Sequence, residues 1–114
     1  MEIEIKNNTC IIKLLSGFIN NTQTKRLEKT ISEYSSYNIG VDLDNVSDCS
    51  IEFLEIISKI KNLSFYNIQS DIFTIFIKMN IDKCINLYNS EDDFISGRNR
   101  LLNRKFRVIE GYKV

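Results

Sequence analysis

The chain has 114 residues, with 15 Lys plus Arg balanced by 15 Asp plus Glu, and it contains no His, no Pro and no Trp. Without His there is no Ser-His-Asp triad, no Cys-His dyad, no HExxH metal site and no imidazole titrating near neutral pH. A hydrophobic content of 43% with 26% charged residues is that of an ordinary globular domain, and the length predicts one domain.

The first residues alternate: Ile3 and Ile5 face one way, Glu2, Glu4 and Lys6 the other, as in a half-buried strand. Asn7-Asn8-Thr9 is a turn signal, and Cys10 to Leu15 reads as a second strand closing a hairpin. Ser16-Gly17 ends it. Asn20 or Asn21, with Gln23 three residues after Asn20, can cap a helix from about Thr22 to Tyr34, whose apolar stripe is Leu27, Ile31 and Tyr34.

Ile39, Val41 and Leu43 mark the next strand, and Asn45 to Cys49 reads as a loop. Ser50 caps a helix from Ile51 to about Asn62. Leu63 to Ile68 is a short strand, and Ser70 or Asp71 caps a third helix that ends near Met79. Lys83 to Tyr88 reads as a strand, and Ser90-Glu91-Asp92-Asp93 caps a fourth helix beginning near Glu91. Lys105 to Val114 reads as one more strand or an irregular tail. A hairpin followed by alternating helices and strands predicts an α/β fold, its mixed sheet mostly parallel and covered by about four helices.

Cys10, Cys49 and Cys84 are scattered, odd in number and lack a CxxC pair, which points to a reduced, cytoplasmic protein without disulfides. Cys10 and Cys84 fall in predicted strands, as small core residues. The acidic, alternating start is no signal peptide, and the apolar run Ile72 to Met79 is too short to insert in a membrane. From Ser96 onward six basic residues (Arg98, Arg100, Arg104, Lys105, Arg107, Lys113) meet one acid, Glu110, a balance of +5 that leaves −5 on the first 95 residues. No nucleic-acid-binding fingerprint accompanies these charges, so residues 98–114 read as a solvated basic extension of a domain spanning 1–97.

The element order resembles the STAS domain, the family of sulphate-transporter and anti-sigma-factor-antagonist domains, over roughly residues 1 to 97. Ser16-Gly17-Phe18-Ile19-Asn20 stands where that family has a GEL-D-like turn, with Gly17 kept and Asn20 in place of the acid. Asp48-Cys49-Ser50-Ile51-Glu52-Phe53 stands where it has D-S-S/T-G-x-G. Asp48 matches the family's Asp, Ser50 falls on the position phosphorylated in anti-sigma factor antagonists, and Ile51 and Phe53 replace its glycines. Ser70 to Met79 looks like the third helix of the family, and Ile81 to Tyr88 like its short return strand.

The resemblance implies a bacterial, non-enzymatic interaction module needing no cofactor or metal. Its partner would be a kinase-type anti-sigma factor or an ABC-transporter subunit. Ser50 is then the phosphorylation candidate, Asp48 and Cys49 the supporting loop, and Ile51, Glu52 and Phe53 the docking residues. A phosphate on Ser50 would add a charge of about −1.5 to −2 at a helix N-terminus and break an interface. The competing reading makes Ser50 a plain N-cap, Asp48 a turn residue satisfying backbone donors, and the chain a constitutive docking subunit.

Phe73, Phe76 and Met79 lie on a helix apolar almost all round, a candidate interface for a protein partner or a homodimer. Cys49 near a helix N-terminus could have a lowered thiol pKa, but no His or Lys neighbours it in sequence to make a nucleophile. A rival reading groups Asp42, Asp44 and Asp48 as a carboxylate cluster for a small metal enzyme.

Overall fold

The opening hairpin turns on Asn7 and Asn8, with Asn7 in the left-handed region at φ 54° that asparagine tolerates. It joins β1 (Glu2–Lys6) to β2 (Thr9–Lys13) in antiparallel register, from Glu2 opposite Lys13 to Lys6 opposite Thr9. The computed structural model describes residues 1–101; the predicted strand at Lys105 to Val114 lies outside them. Beyond β2 the pairing is parallel, through β4 (Asn38–Asp42), β6 (Leu63–Tyr66) and β7 (Asn86–Leu87), in the order β1-β2-β4-β6-β7. The α/β class and the hairpin-opened, mostly parallel sheet are as expected.

β1 departs from expectation. All five of its residues are exposed, Ile3 and Ile5 by 43% each, because among the described residues β1 is the sheet's edge, with β2 on one side only.

Helix α1 (Asn21–Glu33) begins with the expected capping box: Asn20 Oδ1 accepts from Gln23 N at 2.9 Å, and Gln23 Oε1 accepts from Asn20 N at 2.9 Å. Leu27 and Ile31 go into the core, and Tyr34 lies half-buried at the C-cap. Thr24 and Thr30 are buried between them because their hydroxyls donate to the carbonyls of Asn20 and Arg26 in the preceding turn.

Helix α2 (Ile51–Ile57) is shorter than the predicted run to Asn62. Its end tightens into i→i+3 bonds, Lys59 N to Ile56 O and Ile60 N to Ile57 O, and Asn62 then turns at φ 62°. Helix α3 (Ser70–Lys78) starts one residue earlier than expected, after the N-cap Gln69, and neither Ser70 nor Asp71 caps it. Asn80 at φ 58° opens a 3₁₀ turn, Ile81–Lys83, so only Asn86 and Leu87 of the predicted return strand pair in the sheet. Cys84 is exposed at the end of that turn rather than in a strand, whereas Cys10 is buried in β2. Helix α4 (Glu91–Ser96) is capped by Ser90, as predicted, and stopped by Gly97 at φ 70°.

The two faces of the sheet are covered unequally. On one, Cys10, Ile12, Val41, Leu63 and Phe65 pack with Leu27, Phe53, Ile57, Ile72 and Phe76 from α1, α2 and α3 in one continuous core. On the other, Ile11, Tyr66 and Tyr88 meet Phe94 of α4. The Phe94 ring lies against Gly40, where a Cβ would come within 2.3 Å of Cε2, and stacks on Tyr66 at 5.5 Å between centroids. Gly40 is therefore what lets α4 approach the sheet.

Candidate functional site

Two short strands outside the main sheet position Ser50. Phe18 and Ile19 (β3) pair in a parallel ribbon with Asp48 and Cys49 (β5), where the sequence predicts a loop over Asn45 to Cys49. The carbonyl of Gly17 accepts from Ser47 N (2.8 Å), Asp48 N (3.1 Å) and Ser47 Oγ (3.2 Å), and that of Ile19 accepts from Ser50 N (2.9 Å). The loop before them is anchored by Val46, which is fully buried and donates its N–H to Leu43 O. The ribbon thus joins the start of α1 to the start of α2.

Ser50 is the N-cap of α2, extended at φ −76° and ψ 160°, and its Oγ accepts from Phe53 N at 3.2 Å. It is half-buried. Asp48 is exposed and its Oδ1 accepts from Cys49 N at 2.8 Å, the turn-residue role. Cys49 is half-buried, and its thiol is pushed up to about 11, first by burial and then by the Asp48 carboxylate. The expectation of a lowered thiol pKa is thus reversed: α2 has only seven residues, and desolvation outweighs its short dipole.

The three docking residues separate. Ile51 is 69% exposed, the most of any large apolar side chain in the described residues. Glu52 is half-buried, and its Oε1 is shielded from solvent with no hydrogen-bond partner among the described residues. Phe53 is fully buried against Phe65, ring centroids 6.2 Å apart, and is a core residue rather than a docking one. Sequence reasoning missed Phe18, which is 49% exposed and lines a shallow depression with Asn20, Asn21, Thr22 and Ser50. The Phe18-Ile19 alternation beside Gly17 was the available clue, since one of two neighbouring strand residues must face out.

The α3 patch is also divided. Phe76 is fully buried against Phe65 at 5.7 Å and is corrected from interface to core. Phe73 is half-buried and packs on the core, and Met79, just past the helix end, is 51% exposed. Ile72 and Phe76, four residues apart, take the face turned to the sheet.

The three Asp residues do not converge. Asp42 is buried and its Oδ1 accepts from Asp44 N (2.9 Å) and Asn67 Nδ2 (3.2 Å), while Asp48 belongs to the ribbon. No group of three His, Cys, Asp or Glu among the described residues is placed to hold a metal ion. Arg98 and Arg100 are exposed, and Arg100 Nη1 donates to Asn86 Oδ1 at 2.9 Å. Arg104, Lys105, Arg107 and Lys113 lie outside the described residues. No helix among the described residues is long and apolar enough to cross a membrane.

Solved structures share this arrangement of hairpin, parallel strands and helices. One is tm1081 of Thermotoga maritima, assigned as an anti-sigma factor antagonist: TM-score 0.63, 14% identity, covering 84% of this chain and 92% of that one. Another is the Bacillus cell-fate determinant SpoIIAA in its phosphorylated form: TM-score 0.54, 14% identity, covering 85% and 98%. The chain has the STAS-like fold. No protein-family model matches the sequence, and no curated protein matches it significantly. At 14% identity the STAS-like likeness is one of architecture.

Proposed function

We propose that this chain is a non-enzymatic STAS-like interaction module that docks a protein partner through the β5–α2 junction, in a bacterial cytoplasm, with Ser50 as its phosphorylation switch. The observation that carries the reading is the flanking of a half-buried N-cap serine by two strongly exposed apolar side chains, Phe18 and Ile51. Exposed apolar groups beside a modifiable hydroxyl give an interface that one added charge can break. The likeness to an anti-sigma factor antagonist and to a phosphorylated cell-fate determinant supports a kinase-type anti-sigma factor as the partner. Phosphorylation would place new negative charge between the exposed Phe18 and Ile51 side chains, against the repulsion of nearby Asp48 and Glu52.

The commitment of Ser50 Oγ to Phe53 N, with Ile51 and Phe53 where the family pattern has glycine, favours a second reading. In it the same surface holds an ABC-transporter subunit constitutively. Baits of wild type, Ser50→Ala and Ser50→Asp, with captured proteins identified by mass spectrometry, separate the two. Capture of a kinase-type partner by wild type and Ala, with release by Asp, is the expected result. Retention of one transporter ATPase by all three baits would replace the switch with permanent docking.

A further inference from the structure

We propose that a second copy of this chain pairs antiparallel onto the free edge of β1, centred on Glu4. Among the described residues β1 has a neighbour on one side only. The hairpin loop has two residues, so Lys6 and Thr9 form its hydrogen-bonded closing pair. The alternation along the ladder then spends the backbone groups of Glu2, Glu4 and Lys6 on β2 and turns those of Ile3 and Ile5 outward. An edge of unpaired N–H and C=O groups is a template for another strand.

The sequence of that edge is complementary to itself. Antiparallel pairing about Glu4 sets Ile3 opposite the second copy's Ile5, and each such pair exchanges both N–H···O bonds. Glu2 then faces the second copy's Lys6, and Lys6 its Glu2, so opposite charges meet at both ends. On the helix side the half-exposed Ile3 and Ile5 of both copies form one continuous apolar row. Glu4 meets its own copy on the axis, and the Lys6 ammonium 3.7 Å from it in the same chain offsets that repulsion.

The neighbouring registers fit less well. A shift one way sets Glu2 against Glu4 at both ends. A shift the other way sets Ile3 against Asn7, whose left-handed backbone is not extended.

The test uses the full chain. Sedimentation across a concentration series should show a monomer–dimer equilibrium, and Glu2→Lys or Lys6→Glu alone should each raise its dissociation constant about tenfold. The double variant Glu2→Lys/Lys6→Glu should recover most of that loss. These positions are exposed, so melting curves should confirm that every variant folds. Residue-resolved amide exchange should show Ile3 and Ile5 slowing with concentration, while Glu4 is slow throughout. A monomer at every concentration, or a dimer indifferent to the charge swaps, would overturn the proposal. So would Ile3 and Ile5 amides already protected in the monomer, which would place another segment of the chain on this edge.

Discussion

Ser50→Ala removes the side-chain acceptor that holds Phe53 N and should cost about 1 kcal/mol of stability, read from urea denaturation. Ser50→Asp keeps a competent N-cap and should stay close to wild type, so any loss of docking in that variant reports charge rather than unfolding. An Asp variant as unstable as Ala would mean the cap geometry does not tolerate a carboxylate. Phe53 is held in place by the core rather than by the loop. A glycine there would remove a ring from the centre of the core, beside Phe65. From sequence, Ser50 and Asn20 were recognisable as caps because capping is local chemistry. The inward turn of Phe53 was not, because α2 carries Phe53, Leu54, Ile56 and Ile57 around most of its circumference, and only tertiary packing selects among them.

At the level of elements, α4 depends on a residue far from it in sequence. Gly40→Ala would drive a methyl group into the Phe94 ring and should destabilise the fold by about 1–3 kcal/mol. Adding Phe94→Ala relieves the clash, so in thermal or chemical unfolding the double variant should lose clearly less than the sum of the two singles. Strict additivity would show that Phe94 moves aside freely. The hairpin, α1, α4 and the parallel centre were legible because each carries its own periodicity, turn or cap. The β3–β5 ribbon was not: two residues per strand carry no period, and what makes them strands is the convergence of Ser47 and Asp48 on the Gly17 carbonyl. The return strand was overestimated because Lys83 to Tyr88 has strand-like composition, while Asn80 diverts its first residues into a 3₁₀ turn.

For the whole molecule, Tyr66 ties the thinly covered sheet face together. Its side chain is fully buried, and its hydroxyl donates to Glu91 Oε1 at 2.9 Å. Lys6 Nζ approaches the same carboxylate at 3.6 Å. Burial, then the hydrogen bond and charge of Glu91, raise the Tyr66 pKa well above its ordinary value. The native state therefore keeps this phenol protonated where the unfolded chain, with tyrosine near pKa 10, ionises it. Its contribution to stability is fully present below about pH 10 and is lost progressively as pH rises beyond that. Urea titrations on either side of pH 10 should show wild type losing stability faster than Tyr66→Phe on the alkaline limb. Parallel limbs would assign that loss to other groups.

The ribbon has a mechanical consequence. Because Gly17 and Ile19 hold Ser47, Asp48 and Ser50 by backbone bonds, the chain between them, with α1 and β4, forms a lasso whose knot is non-covalent. While that knot holds, a partner that pulls on Ser50 also pulls on Gly17 and Ile19, just before the α1 cap. Force applied at one helix start is then delivered to the other, some thirty residues away along the chain.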